Sequence, residues 1–173
     1  VDRDESALHR VQMSLDGEPA LDSPDLVLGD LRTPGLIDAL FEEVRPTVVF
    51  HAAGLNQLAL AERFPTEAFL TNVVATRDLL LAAAAHDVSR FINISTDKAA
   101  RPVGVLDCSE RICERLTSAL GRRLGGERRF ISVRFGAVLE SHGPVLQTLA
   151  SQMERGLPTT ITDPRMRRFF TSV

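Results

Sequence analysis

Four consecutive residues carry the densest chemistry in this chain. Ser95-Thr96-Asp97-Lys98 directly follows the apolar segment Arg90-Phe91-Ile92-Asn93-Ile94. Two hydroxyls, a carboxylate and an ammonium at the exit of a strand can hold a sugar, remove a proton and donate one. The same four residues also suit a helix N-cap followed by a solvated ion pair. Lys98 is the lone lysine among 20 basic residues, and the chain has no Tyr and no Trp. Chemistry that needs a Tyr–Lys pair is therefore excluded. His51 precedes Ala52, Ala53 and Gly54, small residues that let a ligand approach the backbone closely. His51 itself reads as a hydrogen-bonded structural residue. Asp30 suits either an acceptor for an adenine amino group or a helix N-cap. Asn72 lies inside a helical pattern, where it could tie the strand-end loops together. Arg165, Arg167 and Arg168 offer forks for diphosphate oxygens or form a solvated surface run. His142, alone in a turn, decides nothing.

The elements that must position these groups alternate between short apolar runs and helical patterns. Strands are expected at 25–30, 47–53, 90–95, 130–135 and 159–162. Thr33-Pro34 should open a helix that ends before Pro46, with Leu36, Ile37, Leu40, Phe41 and Val44 on one face. Further helices are expected at 65–86, 107–124 and about 144–155. The run 47–53 reads as a strand buried on both faces. This alternation predicts an open α/β parallel sheet with helices on both faces, in a single domain of 173 residues. Ligands of such sheets sit beyond the carboxyl ends of the strands.

Composition sets outer limits. Hydrophobic residues make up 44% and charged residues 25%, a globular balance. The longest apolar run, Leu79 to Ala85, is far short of the roughly 20 residues a bilayer needs, and no signal peptide opens the sequence. Cys108 and Cys113 give neither a disulfide framework nor a metal-ligand spacing. The cytoplasm is the expected compartment. Residues 1–100 carry a net charge of −8 and residues 101–173 a net +5. The basic half suits phosphates of a small ligand; with few aromatics and a low pI, no nucleic-acid partner is expected.

The ends read as cuts of a larger protein. Val1-Asp2-Arg3-Asp4-Glu5 looks like the exit of a second strand, where an acidic residue meets an adenosine ribose. The 11 glycines never form G-x-G-x-x-G, so the first strand and Gly-rich loop of a Rossmann-like sheet are not found. Val27 and the segment 48–50 should then border a gap with unpaired backbone, favouring an oligomer or poor solubility.

Several segments together resemble the extended short-chain dehydrogenase/reductases of polysaccharide biosynthesis, the capsular-type sugar-nucleotide 4,6-dehydratases and epimerases. They are Val1 to Leu8, Gly29-Asp30, Val48 to Ala53, Thr71-Asn72-Val73, Phe91 to Ala99, Ser132 to Gly136, and Thr162-Asp163-Pro164 with Arg168-Phe169-Phe170. The resemblance implies NAD or NADP as cofactor and a UDP-linked N-acetylhexosamine as substrate. The implied reaction oxidises the sugar transiently at C4, removes water across C5 and C6, and returns the hydride. Asp97 and Lys98 match the acid/base pair, and Thr96 the hydroxyl near the reacting carbon. Asp2 and Arg3 match the adenosine-ribose contact, Asp30 and Leu31 the adenine contact. Ala52, Ala53, Gly54 and Ser95 match the cofactor wall, and Arg168 a ligand for the nucleotide diphosphate. The part that binds substrate begins near 137–173.

The departures from the family pattern are specific. A Lys of the family is Glu110 here, which reverses the local field and repels the cofactor's negative charge. Leu106 replaces a Tyr or Met, Asp107 a Gly, Asn56 a Lys, Ala137 an Asn and Glu140 a Gly. Weak or absent turnover is expected of this chain, with the alternative of a non-catalytic module that pairs with a complete paralogue.

Overall fold

Apolar segments bounded by turns supply the three strands at the centre of the molecule. In the computed structural model, which describes residues 1–17, 22–138, 144–160, 163–165, 167 and 169–171, they are β1 (Val48–His51), β2 (Arg90–Thr96) and β3 (Arg129–Phe135). They pair in parallel in the order β1-β2-β3. A separate parallel pair joins β4 (Ala137–Val138) to β5 (Phe170–Thr171). The helices are α1 (Glu5–Asp16), α2 (Leu36–Val44), α3 (Leu58–Arg63), α4 (Pro65–Ala68), α5 (Ala75–Ala85), α6 (Val105–Leu124) and α7 (Pro144–Glu154). This is a Rossmann-like α/β arrangement with flanking helices.

Register decides which side chains meet. Val49, Phe91 and Phe130 lie side by side, one from each strand. Ile37 and Phe41 of α2, Leu79 and Ala83 of α5, and Leu116 and Leu120 of α6 pack over them. The Phe91 and Phe130 rings stack with centroids 5.4 Å apart. Further along β1 and β2 the same covered face turns polar, with His51, Asn93 and Ser95 all buried. The apolar half of the face holds the fold, and the polar half delivers groups to the carboxyl edge. Gly121 permits this packing: a Cβ there would stand 2.9 Å from the Phe130 carbonyl oxygen.

The opposite face corrects two expectations. The core-forming helices α2, α5 and α6 lie on one side of the sheet, not on both. The run 47–53 is accordingly not buried on both faces. Phe50 is 72% exposed, and Val48, Ile131 and Phe135 share its side of the sheet and its exposure.

Three further expectations change locally. Residues 25–30 form no strand but a single parallel bridge between Asp2 and Leu28, in which Asp2 N–H donates to Val27 O and Gly29 N–H to Asp2 O. Pairing stops there because Asp4 already caps α1, its carboxylate accepting from Ala7 N–H. The helix after Thr33-Pro34 starts instead at Leu36, because Gly35 with φ of 80° turns the chain first. Thr159 and Thr160 are not in a strand; 161 and 162 lie outside the described residues.

The expected helix at 65–86 is interrupted by a π-helical turn, Phe69–Val74, between α4 and α5. The whole run Pro65–Ala85 is long and apolar enough to cross a membrane by length and composition, with half of its most apolar window buried inside the molecule. Leu79, Leu80, Ala82 and Ala83 use that apolar character in the core.

The two faces differ in what truncation costs. Phe91→Ala is expected to lose about 3–5 kcal/mol of unfolding free energy, as for a fully buried Phe, whereas Phe50→Ala should stay below about 1 kcal/mol. Urea titration of both variants measures the contrast.

Candidate functional site

Two clefts open along the carboxyl edge of the sheet, and Ala52, Ala53 and Gly54 line both. One is walled by Asp2, Arg3, Asp30 and Leu31. The other is walled by Asn72, Ser95, Thr96 and Glu110. The backbone leaving β1 therefore forms a shared floor of small residues between a charged compartment and a hydroxyl-lined one.

In the charged compartment Asp30 is the organising group. Its Oδ1 accepts from Arg32 N–H at 2.9 Å, and its two oxygens take the Arg32 guanidinium at 2.7–3.1 Å. These bonds hold the Asp30 carboxyl well below the usual carboxylate range. The helix-cap reading of Asp30 is set aside, since Gly35 occupies that position. Arg3 reaches Asp30 Oδ2 at 3.4 Å, and Arg32 also pairs with Glu67 at 2.8 Å. Asp2 Oδ1 accepts from Asp4 N–H, which fixes the turn into α1. Arg32 was not singled out from the sequence; its spacing two residues after an Asp, typical of a side-chain-closed turn, was the signal.

The floor is held from below by Asn72. Its Oδ1 accepts from Leu55 N–H at 2.7 Å, and its Nδ2 donates to Leu55 O at 3.2 Å and to Ser109 Oγ at 3.0 Å. Asn72 thus ties the loop after β1 to α6, where the sequence suggested a tie between strand-end loops. The Asn72 carbonyl accepts from the Thr76 hydroxyl and from Cys113 Sγ. Because the Thr76 proton is committed there, its oxygen accepts from His51 Nε2 at 2.7 Å, which assigns the tautomer. Burial pushes the His51 imidazole down to about 4, so it is neutral and structural at pH 7. Burial likewise pushes the Cys113 thiol up to about 12.

Thr96, Asp97 and Lys98 leave β2 in a single 3-10 turn, Asp97–Ala100, anchored by buried Ala99. Thr96 Oγ1 donates to Asp97 Oδ1 at 3.1 Å and accepts from Lys98 N–H at 3.4 Å. Thr96 lines the hydroxyl compartment, whereas Asp97 and Lys98 line neither cleft. Ser95 lines the same compartment, but its hydroxyl donates to Glu114 Oε1 at 2.8 Å. Glu114 is the hub of this corner, since Arg134 grips both its oxygens at 2.6 and 2.7 Å and Arg111 adds 2.7 Å. The Arg134 guanidinium, followed by burial in the opposite sense and by Arg111, brings the Glu114 carboxyl down to about 2. Sequence reading missed Glu114 and Arg134, because only the packing of α6 on β3 brings them together.

Glu110 stands one turn earlier on α6 and is its opposite. Burial and the Glu114 charge raise its carboxyl to about 7, with Lys98 pulling the other way. Leu106 and Asp107, the other departures on this helix, are buried. Asp107 Oδ2 accepts weakly from Val103 N–H, and its Oδ1 has no partner among the described residues. Arg168, Glu140 and His142 lie outside the described residues, and Arg165 forms an exposed pair with Asp163.

Two stability tests follow from these carboxyls. Glu114→Ala is expected to cost about 1–2 kcal/mol at pH 7, a modest loss because Arg111 and Arg134 stay open to water. The wild-type contribution is present above the unfolded value of 4.5 and disappears as pH falls through about 2. Glu110 has the reverse sign: its folded value is raised, so its contribution declines as pH rises from 4.5 through about 7. Glu110→Gln should therefore melt above wild type at pH 8, by roughly 1–3 kcal/mol, and match it at pH 5. Chemical denaturation at both pH values checks this.

Comparison with known proteins agrees with this arrangement. The chain is 39% identical over 174 residues to an uncharacterized membrane protein of Methanocaldococcus jannaschii, covering 100% of this chain and 50% of that protein. It is 38% identical over 157 residues to a UDP-glucose 4-epimerase of Rickettsia rickettsii, covering 89% and 46%. The chain thus spans about half the length of these curated relatives. Among solved structures, Pen from Bacillus thuringiensis superposes with a TM-score of 0.85 and 28% identity, over 99% of this chain and 53% of that one. A Thermus thermophilus UDP-glucose 4-epimerase in complex with NAD shares the fold, with a TM-score of 0.74 and 23% identity over 91% and 60%. The family described as polysaccharide biosynthesis protein matches residues 1–173, and this chain belongs to it.

Proposed function

We propose that this chain supplies the dinucleotide-binding half and the acid/base turn of a nucleotide-sugar enzyme, acting in the cytoplasm on a UDP-linked N-acetylhexosamine. The observation that carries this reading is the paired cleft over Ala52–Gly54, whose hydroxyl-lined half reaches Thr96, the residue from which the Asp97–Ala100 turn leaves β2. NAD or NADP fits this edge in its adenosine part: Asp2, Arg3, Asp30 and Leu31 would surround it, and the small floor lets the cofactor lie against backbone. When bound, the dinucleotide accepts and returns two electrons at the sugar. Asp97 and Lys98 would move protons there; Thr96 Oγ1 donates to the Asp97 carboxylate and accepts from the Lys98 backbone N–H, which fixes the turn that carries both. Arg168 would meet the nucleotide diphosphate, and 137–173 would begin the substrate-binding part.

The UDP-sugar class is supported by the names of the relatives, a UDP-glucose 4-epimerase among them. The unsupported Glu110 favours weak turnover, since its charge opposes an anionic cofactor. A second reading, a non-catalytic module that pairs with a second copy or a complete paralogue, is favoured by the exposed apolar face around Phe50, Ile131 and Phe135.

The test is incubation of the purified protein with UDP-N-acetylglucosamine and NAD or NADP, with product separated by chromatography. Dinucleotide and UDP-sugar should bind, and 4-keto product should form only in traces that Lys98→Ala removes. Failure to bind either ligand would refute the site, and efficient turnover would refute its weakness. Co-purification of a paralogue with restored turnover would favour the second reading.

A further inference from the structure

Glu110 lines the hydroxyl-lined cleft with a carboxyl that has no hydrogen-bonded partner among the described residues to settle its charge. Its Oε1 stands 3.9 Å from the position a Cβ would take at Gly54, so it borders the floor on which a ligand would lie. Resting on the dinucleotide reading above, we propose that Glu110 gates this cleft by proton uptake: an anionic dinucleotide enters with the Glu110 carboxyl protonated, and binding therefore takes up a proton.

The argument is electrostatic and geometric. A diphosphate-bearing ligand would bring negative charge over Ala52–Gly54, beside a half-buried carboxyl. Ionised, that carboxyl repels the ligand; neutral, it can donate one hydrogen bond and accept another, which suits ribose hydroxyls. The charged and titratable groups that face Glu110 do not change this balance. Lys98, on the 3-10 turn after β2, is the nearby cation that favours the ionised form. On α6 itself, Glu114 is held ionised by Arg134 of β3 and by Arg111, and Cys113 is buried as a thiol. His51 of β1 is neutral. Asn72 from the π-helical turn and Ser95 and Thr96 from β2 carry no charge. Between pH 6 and 8, Glu110 alone among the shifted groups of this wall changes its state, with its value near 7.

Isothermal titration of the purified protein with NAD, at pH 6, 7 and 8 and in two buffers of different ionisation enthalpy, reads both affinity and proton transfer. Wild type is expected to bind about tenfold more weakly at pH 8 than at pH 6, with proton uptake evident from the buffer dependence. Glu110→Gln is expected to bind equally at all three pH values, near the wild-type strength at pH 6 and without proton uptake. Circular dichroism establishes that the variant is folded. Should the variant not fold, wild-type proton uptake alone decides the matter. Wild-type binding that is flat with pH and free of proton exchange would overturn the gate while leaving the dinucleotide reading intact. No binding by either protein at any pH would overturn both.

Discussion

The carboxyl edge depends on one buried amide. Asn72 uses both ends of its side chain on the loop after β1 and on Ser109 of α6, while its carbonyl receives Thr76 and Cys113. Three separate segments thereby meet at one residue that is almost fully buried. The Asn72 carbonyl lies in the π-helical turn, and its oxygen takes the Thr76 hydroxyl from the following helix and Cys113 Sγ from α6. An Ala at this position would remove the partner of Leu55 N–H and of Ser109 Oγ, and the floor of both clefts would lose its anchor.

That dependence explains why α6 can place two chemically identical carboxyls in opposite states. Glu110 and Glu114 sit one helical turn apart and point toward the same edge. Glu114 meets Arg111, Arg134 and Ser95, and the charge-assisted bonds outweigh the burial that would neutralise it. Glu110 has only the more distant Lys98 to set against burial and a neighbouring negative charge, and burial wins. The difference lies in Arg134 of β3 first, with Arg111 and Ser95 beside it, all of which bond to Glu114.

Much of the scaffold was legible in the amino-acid order because it rests on local patterns. Strands β2 and β3 and helix α6 follow from apolar runs, a long amphipathic period and the Gly125-Gly126 stop, where Gly125 has positive φ. The wall residues Ala52–Gly54 and Asp2, Arg3, Asp30 and Leu31 line one cleft, although an isolated bridge takes the place of the strand expected at 25–30. What was not legible depends on pairings far apart in the chain. Arg32 with Glu67 spans 35 residues, and Arg134 with Glu114 spans 20. The start of α2 was misplaced for a local reason: Thr-Pro signals a helix, but the following glycine adopts a left-handed conformation that delays it.

The exposed sheet face follows a different logic. Apolar content alone cannot say which side of a strand is covered, because a parallel strand with helices on both faces and one with helices on a single face read alike. In β1 the alternation is complete: Val49 and His51 are drawn under the helices while Phe50 remains largely in water. A phenyl ring, two strands of Ile and Val beside it, and Phe135 at the rim form a surface of core-like composition on the outside. Relatives about twice as long share this half of their length with the present chain. The chemistry at the carboxyl edge and the uncovered face are therefore physically separate features. The first is set by polar residues that α5 and α6 hold in place, the second by apolar residues that those helices never reach.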